Sequence, residues 1–193
     1  EYFKIKDKSK VIAAHNHDYD EFLKVSKKIT NQNYKSSSLL FLDEQFPMHT
    51  DYFREDVNPE VKKDDYFKEI SDCLDKLGKN LSLKPLIKLH PRANNNKISE
   101  LYTLQTEEAD TANLIHKSDL VVAHCSTAIQ LAVLFYKPIL LLIPNQLRNN
   151  SFYKLTIDNF KKELGATSVR VKNISNIKTI PKVNRKKYDE YKE

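Results

Sequence analysis

Four short runs of almost unbroken apolar residues, at 39–42, 86–89, 120–124 and 139–143, are separated by stretches with helical periodicity. This pattern constrains the fold more than anything else in the chain. A strand with one face in water alternates apolar and polar residues, whereas a run that is apolar throughout suits a strand covered on both faces. Strands of that kind alternating with helices build βαβ units, and hence a parallel sheet. The expected fold is therefore α/β: a Rossmann-like, doubly wound parallel sheet with helices on both faces.

The finer pattern adds strands at 10–14 and 168–171. Helices are expected over 64–77 (stopped by Gly78), 108–117, 126–136, 151–164 (capped by Gly165) and 185–192, and another begins at Asp18. Residues 30–38 and 94–96 read as loop and turn, and 46–62 as a long polar stretch. With 193 residues, 40% of them hydrophobic, the chain can bury a real core. The organisation expected is a lead-in over 1–38, a nucleotide-binding domain over 39–172, and a tail with a helix over 173–193. The first residue is Glu1 and not Met, which suggests a piece of a longer protein.

Two glycines, Gly78 and Gly165, are all the chain has. Glycine-rich loops let backbone approach a pyrophosphate, so a dinucleotide fingerprint and a P-loop are both excluded. Cys73 and Cys125 form neither a disulfide framework nor a zinc knuckle. The net charge of +6 comes from 27 lysines and only five arginines among 32 basic residues, dispersed and interleaved with acids. That argues against a nucleic-acid stripe and for an anionic small molecule or loose attraction to an anionic membrane face. The basic end (Arg185, Lys186, Lys187) fits such a face, and equally a solvated helix. No apolar run approaches the ~20 residues of a membrane span.

In open parallel sheets ligands bind beyond the carboxyl ends of the strands. Three expected strand ends carry suitable polar groups: Asp43-Glu44-Gln45, His90-Pro91-Arg92 and His124-Cys125-Ser126-Thr127. Ser126 and Thr127 open an apolar helix, where hydroxyls and free N–H groups would face the crevice, though Ser126 also reads as an ordinary N-cap. Arg92 offers a fork of donors to phosphate and His90 a donor beside it. Asp43 and Glu44 are adjacent and diverge, which is poor geometry for an acid/base pair, yet either alone can act as a base or hold a sugar hydroxyl. His15 and His17 have an H-x-H spacing that would need His49, His124 or Asp43 to complete a metal site.

Taken in order, Ile87-Lys88-Leu89-His90-Pro91-Arg92, then Thr111–Ile115, Ser118–Val122, Ser126-Thr127-Ala128 and Lys137–Leu140, the chain resembles the C-terminal half of a GT-B glycosyltransferase. The likeness is to bacterial surface-carbohydrate (capsule or lipopolysaccharide) biosynthesis proteins, which share an "HP" motif and a later Ser/Thr motif with sialyl- and Kdo-transferases. It spans roughly residues 10–145. Asp18-Tyr19-Asp20 and Leu42-Asp43-Glu44 resemble the same group.

The resemblance implies a metal-independent glycosyltransferase taking a nucleotide-sugar, with a CMP-sugar first among donors. His90 would be catalytic with Asp43 and Glu44. His90, Arg92, Ser126 and Thr127 would hold the nucleotide phosphate, with Gln45 and His124 at the same crevice. No cofactor is implied. The implied partners are the donor, a saccharide or lipid-linked acceptor and a further N-terminal domain, and the implied location is cytoplasmic, with the inner face of the cytoplasmic membrane as an option. The Gly-containing acidic motif that carries the base in such sialyltransferases has no counterpart here. Two other readings stand beside this one: a metal-dependent hydrolase built on His15 and His17, and a binding module without turnover.

Overall fold

A computed structural model describes residues 17–28, 37–48, 62–91, 95–147 and 149–192. The expected strand at 10–14 and residues His15, His49 and Arg92 lie outside the described residues. In chain order the elements are α1 (His17–Lys28), β1 (Ser38–Leu42), α2 (Lys63–Leu81), β2 (Lys84–Lys88), α3 (Asn95–Ser99), β3 (Thr106–Glu107) and α4 (Thr111–Lys117). They continue with β4 (Leu120–Ala123), α5 (Ile129–Leu134), β5 (Ile139–Ile143), α6 (Ser151–Leu164), β6 (Thr167–Arg170) and α7 (Arg185–Lys192). Short 3-10 segments cover Phe46–Met48, Asn145–Leu147 and Val171–Asn176.

The strands form one sheet in the order β3-β2-β1-β4-β5-β6, and every neighbouring pair is parallel. The chain winds outward from β1 to β3, then returns to lay β4 against the other side of β1 and winds outward again. Strand order therefore reverses between β1 and β4. Right-handed crossovers in opposite directions put α2 and α5 on opposite faces of the sheet. The apolar runs are explained by this covering: β4 is buried throughout, as is β1 beyond its first residue.

On one side α1 packs on α4 and α5, and α7 packs on α5 and α6. The lead-in helix and the terminal helix are thus both part of the packed body. On the other side α2 lies against β1, β2 and the Val171–Asn176 turn. Helix α2 buries Phe67, Ile70, Leu74 and Leu77 along one stripe at helical spacing, each worth about 1.5–3 kcal/mol when fully buried.

Several boundaries differ from expectation. Helix α2 does not stop at Gly78 but runs on to Leu81 and ends at Ser82 in the left-handed region (φ 57°). Gly78 serves close packing instead of a cap: a Cβ there would sit 2.6 Å from the Leu83 carbonyl oxygen and 3.1 Å from Pro85 Cδ. The expected 94–96 turn opens the short helix α3, and the edge strand β3 has too few apolar residues to be visible as one. Helix α5 is shorter than the expected 126–136 at both ends. Its C-terminus closes with Lys137 N–H donating to Ala132 O and Tyr136 N–H to Val133 O, with Tyr136 at φ 52°. This is the Schellman arrangement, made by a tyrosine where glycine is the usual choice. Gly165 does cap α6 in the left-handed region, and α7 begins and ends where expected.

In an ordinary helix interior Gly→Ala stabilises by about 1 kcal/mol. At Gly78 the contact with backbone reverses the sign, and Gly78→Ala is expected to destabilise by about 1–3 kcal/mol. Urea denaturation of the two proteins measures it, and a variant as stable as wild type would contradict the packing described here.

Candidate functional site

A cleft of about 500 Å³ opens at the carboxyl ends of β1, β2 and β4, where strand order reverses. Asp43 reaches it from β1, Lys88, His90 and Pro91 from β2, and Ser126, Thr127 and Ala128 from the turn after β4. Helix α1 closes one side with His17, Asp18 and Glu21, and Asp110 and Thr111 at the start of α4 close another. Of the residues expected at this crevice, Asp43, His90, Ser126 and Thr127 are brought together. Glu44, Gln45 and His124 do not line the cleft. Arg92 lies outside the described residues.

The turn after β1 explains the division. Gln45 takes a left-handed conformation (φ 51°), and its N–H donates back to Asp43 Oδ1 at 2.9 Å. Asp43 is thereby held towards the cleft, and Glu44 points the other way. Glu44 Oε1 accepts the N–H of Cys125 across the reversal point, and the N–H groups of His124 and Ser126 also favour its charged form. Complete burial outweighs those donors and raises the Glu44 carboxyl to about 8. Of the backbone groups in this turn, the N–H groups of His124, Cys125 and Ser126 are therefore already engaged by a side chain of the protein.

His124 is equally committed. Its Nδ1 lies 2.7 Å from the Leu142 carbonyl oxygen, which can only accept, so Nδ1 carries the proton. Nε2 then accepts from the Tyr66 hydroxyl at 2.8 Å. The rings of Phe41, Tyr66 and Tyr153 surround the imidazole, and burial lowers it to about 4. A neutral, fully bonded imidazole ties α2 to β5.

Asp43 has the opposite character. It is 4% exposed, and burial raises its carboxyl to about 6. Its Oδ2 and the Tyr102 hydroxyl are buried without a hydrogen bond of normal geometry among the described residues, although the two are close enough for the hydroxyl to favour the carboxylate.

Ser126 is not the cap of a long helix. Its Oγ accepts the Ala128 N–H at 3.3 Å, and three successive 3-10 bonds, from Ile129, Gln130 and Leu131, lead into the six-residue α5. Its hydroxyl hydrogen and the exposed Thr127 side chain lie at the cleft.

Lys88 is a further functional candidate, one that no motif marks. It is 9% exposed, its Nζ donates to the Glu108 carbonyl at 3.2 Å, and burial lowers its pKa. The sequence signal was a cation inside an otherwise apolar strand. Polar groups in the cleft are thus divided: the Lys88 ammonium and the His90 ring on the β2 side, and the carboxyl groups of Asp43, Asp18 and Glu21 towards β1 and α1. Asp110 is engaged as the N-cap of α4 through Asn113.

Of the histidines named for a metal site, His17 is exposed and lies 3.9 Å from Glu21. No cluster of three His, Cys, Asp or Glu suited to a metal ion occurs among the described residues. Burial pushes both thiols, Cys73 and Cys125, upward, so neither has the character of a nucleophile. No described helix is long and apolar enough to cross a membrane.

No family model matches the sequence, and no curated protein matches it. Among solved structures the chain is similar to the wall teichoic acid polymerase TagF soaked with CDPG, at 15% identity and a TM-score of 0.48, over 91% of this chain and 40% of that one. It is similar to the UDP-GlcNAc 2-epimerase of Methanocaldococcus jannaschii in complex with UDP-GlcNAc and UDP, at 15% identity and a TM-score of 0.46, over 89% and 49%. It is also similar to the spinosyn forosaminyltransferase SpnP, at 10% identity and a TM-score of 0.39, over 75% and 34%. The chain spans less than half the length of each. At such identities and scores no residue role passes from them to this chain.

The unfolded chain ionises Glu44 near 4.5, whereas the folded chain keeps the proton up to about pH 8. The folded state binds more protons in that window, so this group's contribution to stability falls as pH rises through it. Glu44→Gln has no such loss. Its melting temperature relative to wild type is expected to rise between pH 4.5 and 8 and level off above; parallel profiles would show that Glu44 ionises freely in the fold.

Proposed function

We propose that this chain is the donor-binding part of a metal-independent glycosyltransferase that takes a nucleotide-activated sugar, with a CMP-sugar as the first candidate. The observation that carries the proposal is the meeting of Asp43, Lys88, His90, Ser126 and Thr127 in one cleft where strand order reverses. The order of the His90-Pro91-Arg92 and Ser126-Thr127 motifs, which resembles GT-B surface-carbohydrate enzymes, supports it from the sequence.

Each side of the cleft has its task. A phosphate lies against Lys88 and His90 and takes hydrogen bonds from the Ser126 and Thr127 hydroxyls, with Arg92 placed by its sequence position to join them. As the bond from sugar to phosphate breaks, negative charge grows on the leaving nucleotide. Fixed cations and hydroxyl dipoles aimed there stabilise it without reorganisation. The acid side receives the sugar. The Asp43 carboxyl accepts one of its hydroxyls, or takes the proton of an incoming acceptor hydroxyl, for which a pKa of about 6 is well suited. Glu44 and His124 act through position only, since they hold the turn that presents Ser126.

The acceptor is a saccharide or a lipid-linked saccharide, and further chain beyond these residues completes its site. Surface-polysaccharide assembly at the cytoplasmic face of a membrane is the setting this reading entails.

A thermal-shift screen of CMP, CDP, UMP, UDP, GDP and TDP, with and without EDTA, tests the proposal. A nucleotide at ~100 times its dissociation constant adds ~2.7 kcal/mol, or roughly 5–10 °C for a chain of this size. One nucleotide is expected to stabilise wild type regardless of EDTA and to leave a His90→Ala/Ser126→Ala variant unmoved. No response to any nucleotide, with EDTA lowering the melting temperature, would favour the metal-hydrolase reading instead.

A further inference from the structure

A second cavity, of about 790 Å³, lies on the same edge of the sheet at the carboxyl ends of β5 and β6, and shares no lining residue with the first. Its walls come from α6, the end of β6 and the Val171–Asn176 turn. They carry Lys154, Lys161, Arg170 and Lys172 against a single acid, Asp158. Asp158 pairs with Lys161 at 3.5 Å within α6. Lys154, Arg170 and Lys172 have no ion pair among the described residues.

This departs from the way charge is handled elsewhere. Lys24 with Glu21, Lys79 with Asp75 and Lys186 with Glu190 are neighbours three or four positions apart on one helix, the arrangement of a solvated surface. Here, cations from three consecutive elements face one concavity, and one of them is among the five arginines of the whole chain. Like charges gathered this way repel one another, and an entering oxyanion relieves the repulsion while collecting charge-assisted hydrogen bonds. Asn173 and Asn176 add amide groups at the same wall. The volume is that of a small-molecule site, in the range of roughly 300–1,000 Å³.

We propose that this groove is a second anion-binding site, separate from the nucleotide cleft, which takes the phosphate groups of a small ligand. Two sources offer that chemistry, a soluble diphosphate and a phospholipid headgroup. The site stands whether or not the first cleft binds a nucleotide.

The test uses the full chain at low ionic strength, as wild type and H90A/S126A, with R170Q/K172Q and R170K/K172R each placed on the H90A/S126A background so that phosphate taken by the first cleft does not mask the second. Inorganic pyrophosphate is titrated into each by calorimetry, and each is sedimented with phosphatidylcholine vesicles with and without phosphatidate. Arg170 and Lys172 are exposed, so their charge can be removed without opening the core. The expected result is binding by wild type, H90A/S126A and R170K/K172R on that background, with affinity about tenfold or more weaker in R170Q/K172Q on the same background. Pyrophosphate binding assigns a soluble ligand; phosphatidate-dependent sedimentation without it assigns a headgroup. R170Q/K172Q binding as tightly as its H90A/S126A parent, loss of binding already in H90A/S126A, or no binding of either probe by wild type would each overturn the proposal.

Discussion

The carboxyl group of Glu44 spans the place where the sheet changes direction, running from the end of β1 to the N–H of Cys125 after β4. The two strands are paired along their length, but beyond their ends nothing in a sheet obliges the following turns to stay together. Glu44 supplies that tie, and it settles the rest of the rim. Because Glu44 turns towards β4, Asp43 turns into the cleft. From this turn the chain reaches α5 by 3-10 bonds, with Ser126 and Thr127 outside the helix. His124 fixes the same turn from behind, between Tyr66 and the Leu142 carbonyl.

One consequence concerns how a phosphate is recognised. Many α/β sheets offer a glycine loop or the open amides of a helix start. With two glycines a glycine loop is not on offer, and the six-residue helix after β4 has a leading turn that is already bonded. Under the proposed function a phosphate is met by side chains on separate strand ends: Lys88 and His90 from β2, and two hydroxyls from the β4 turn. The shortage of glycine also shows where the backbone turns sharply. Gln45, Ser82 and Tyr136 all take left-handed conformations that a glycine would adopt more cheaply, at about 1 kcal/mol or more each. Of the two glycines, one is needed for close packing at Gly78 and one caps α6 at Gly165.

The parallel sheet was legible because each central strand is apolar at consecutive positions, which only two-sided burial explains. The convergence of Asp43, His90, Ser126 and Thr127 was legible for a related reason, since polar residues at the ends of parallel strands fall on one edge. What could not be read depends on contacts distant in sequence. Glu44 and Cys125 are 81 positions apart, and Tyr66 and His124 are 58 apart. Nothing local distinguishes a carboxylate that faces a ligand from one that closes a turn, or a histidine at the cleft from one locked behind it. Lys88 was visible as an anomaly in an apolar run, yet only the fold gives it a cleft to line. The end of α2 escaped for a simpler reason: glycine after a helical stripe usually means a cap, and here it means contact with Leu83.

The central claim, that the cleft at the strand reversal receives a nucleotide, is tested most directly by a 15N-resolved NMR titration of the chain with CMP. The account predicts saturable shifts that include the amides of Asp43, Lys88, Leu89, His90, Ser126, Thr127 and Ala128. Shifts centred elsewhere, or none at concentrations that saturate an ordinary nucleotide site, would contradict it.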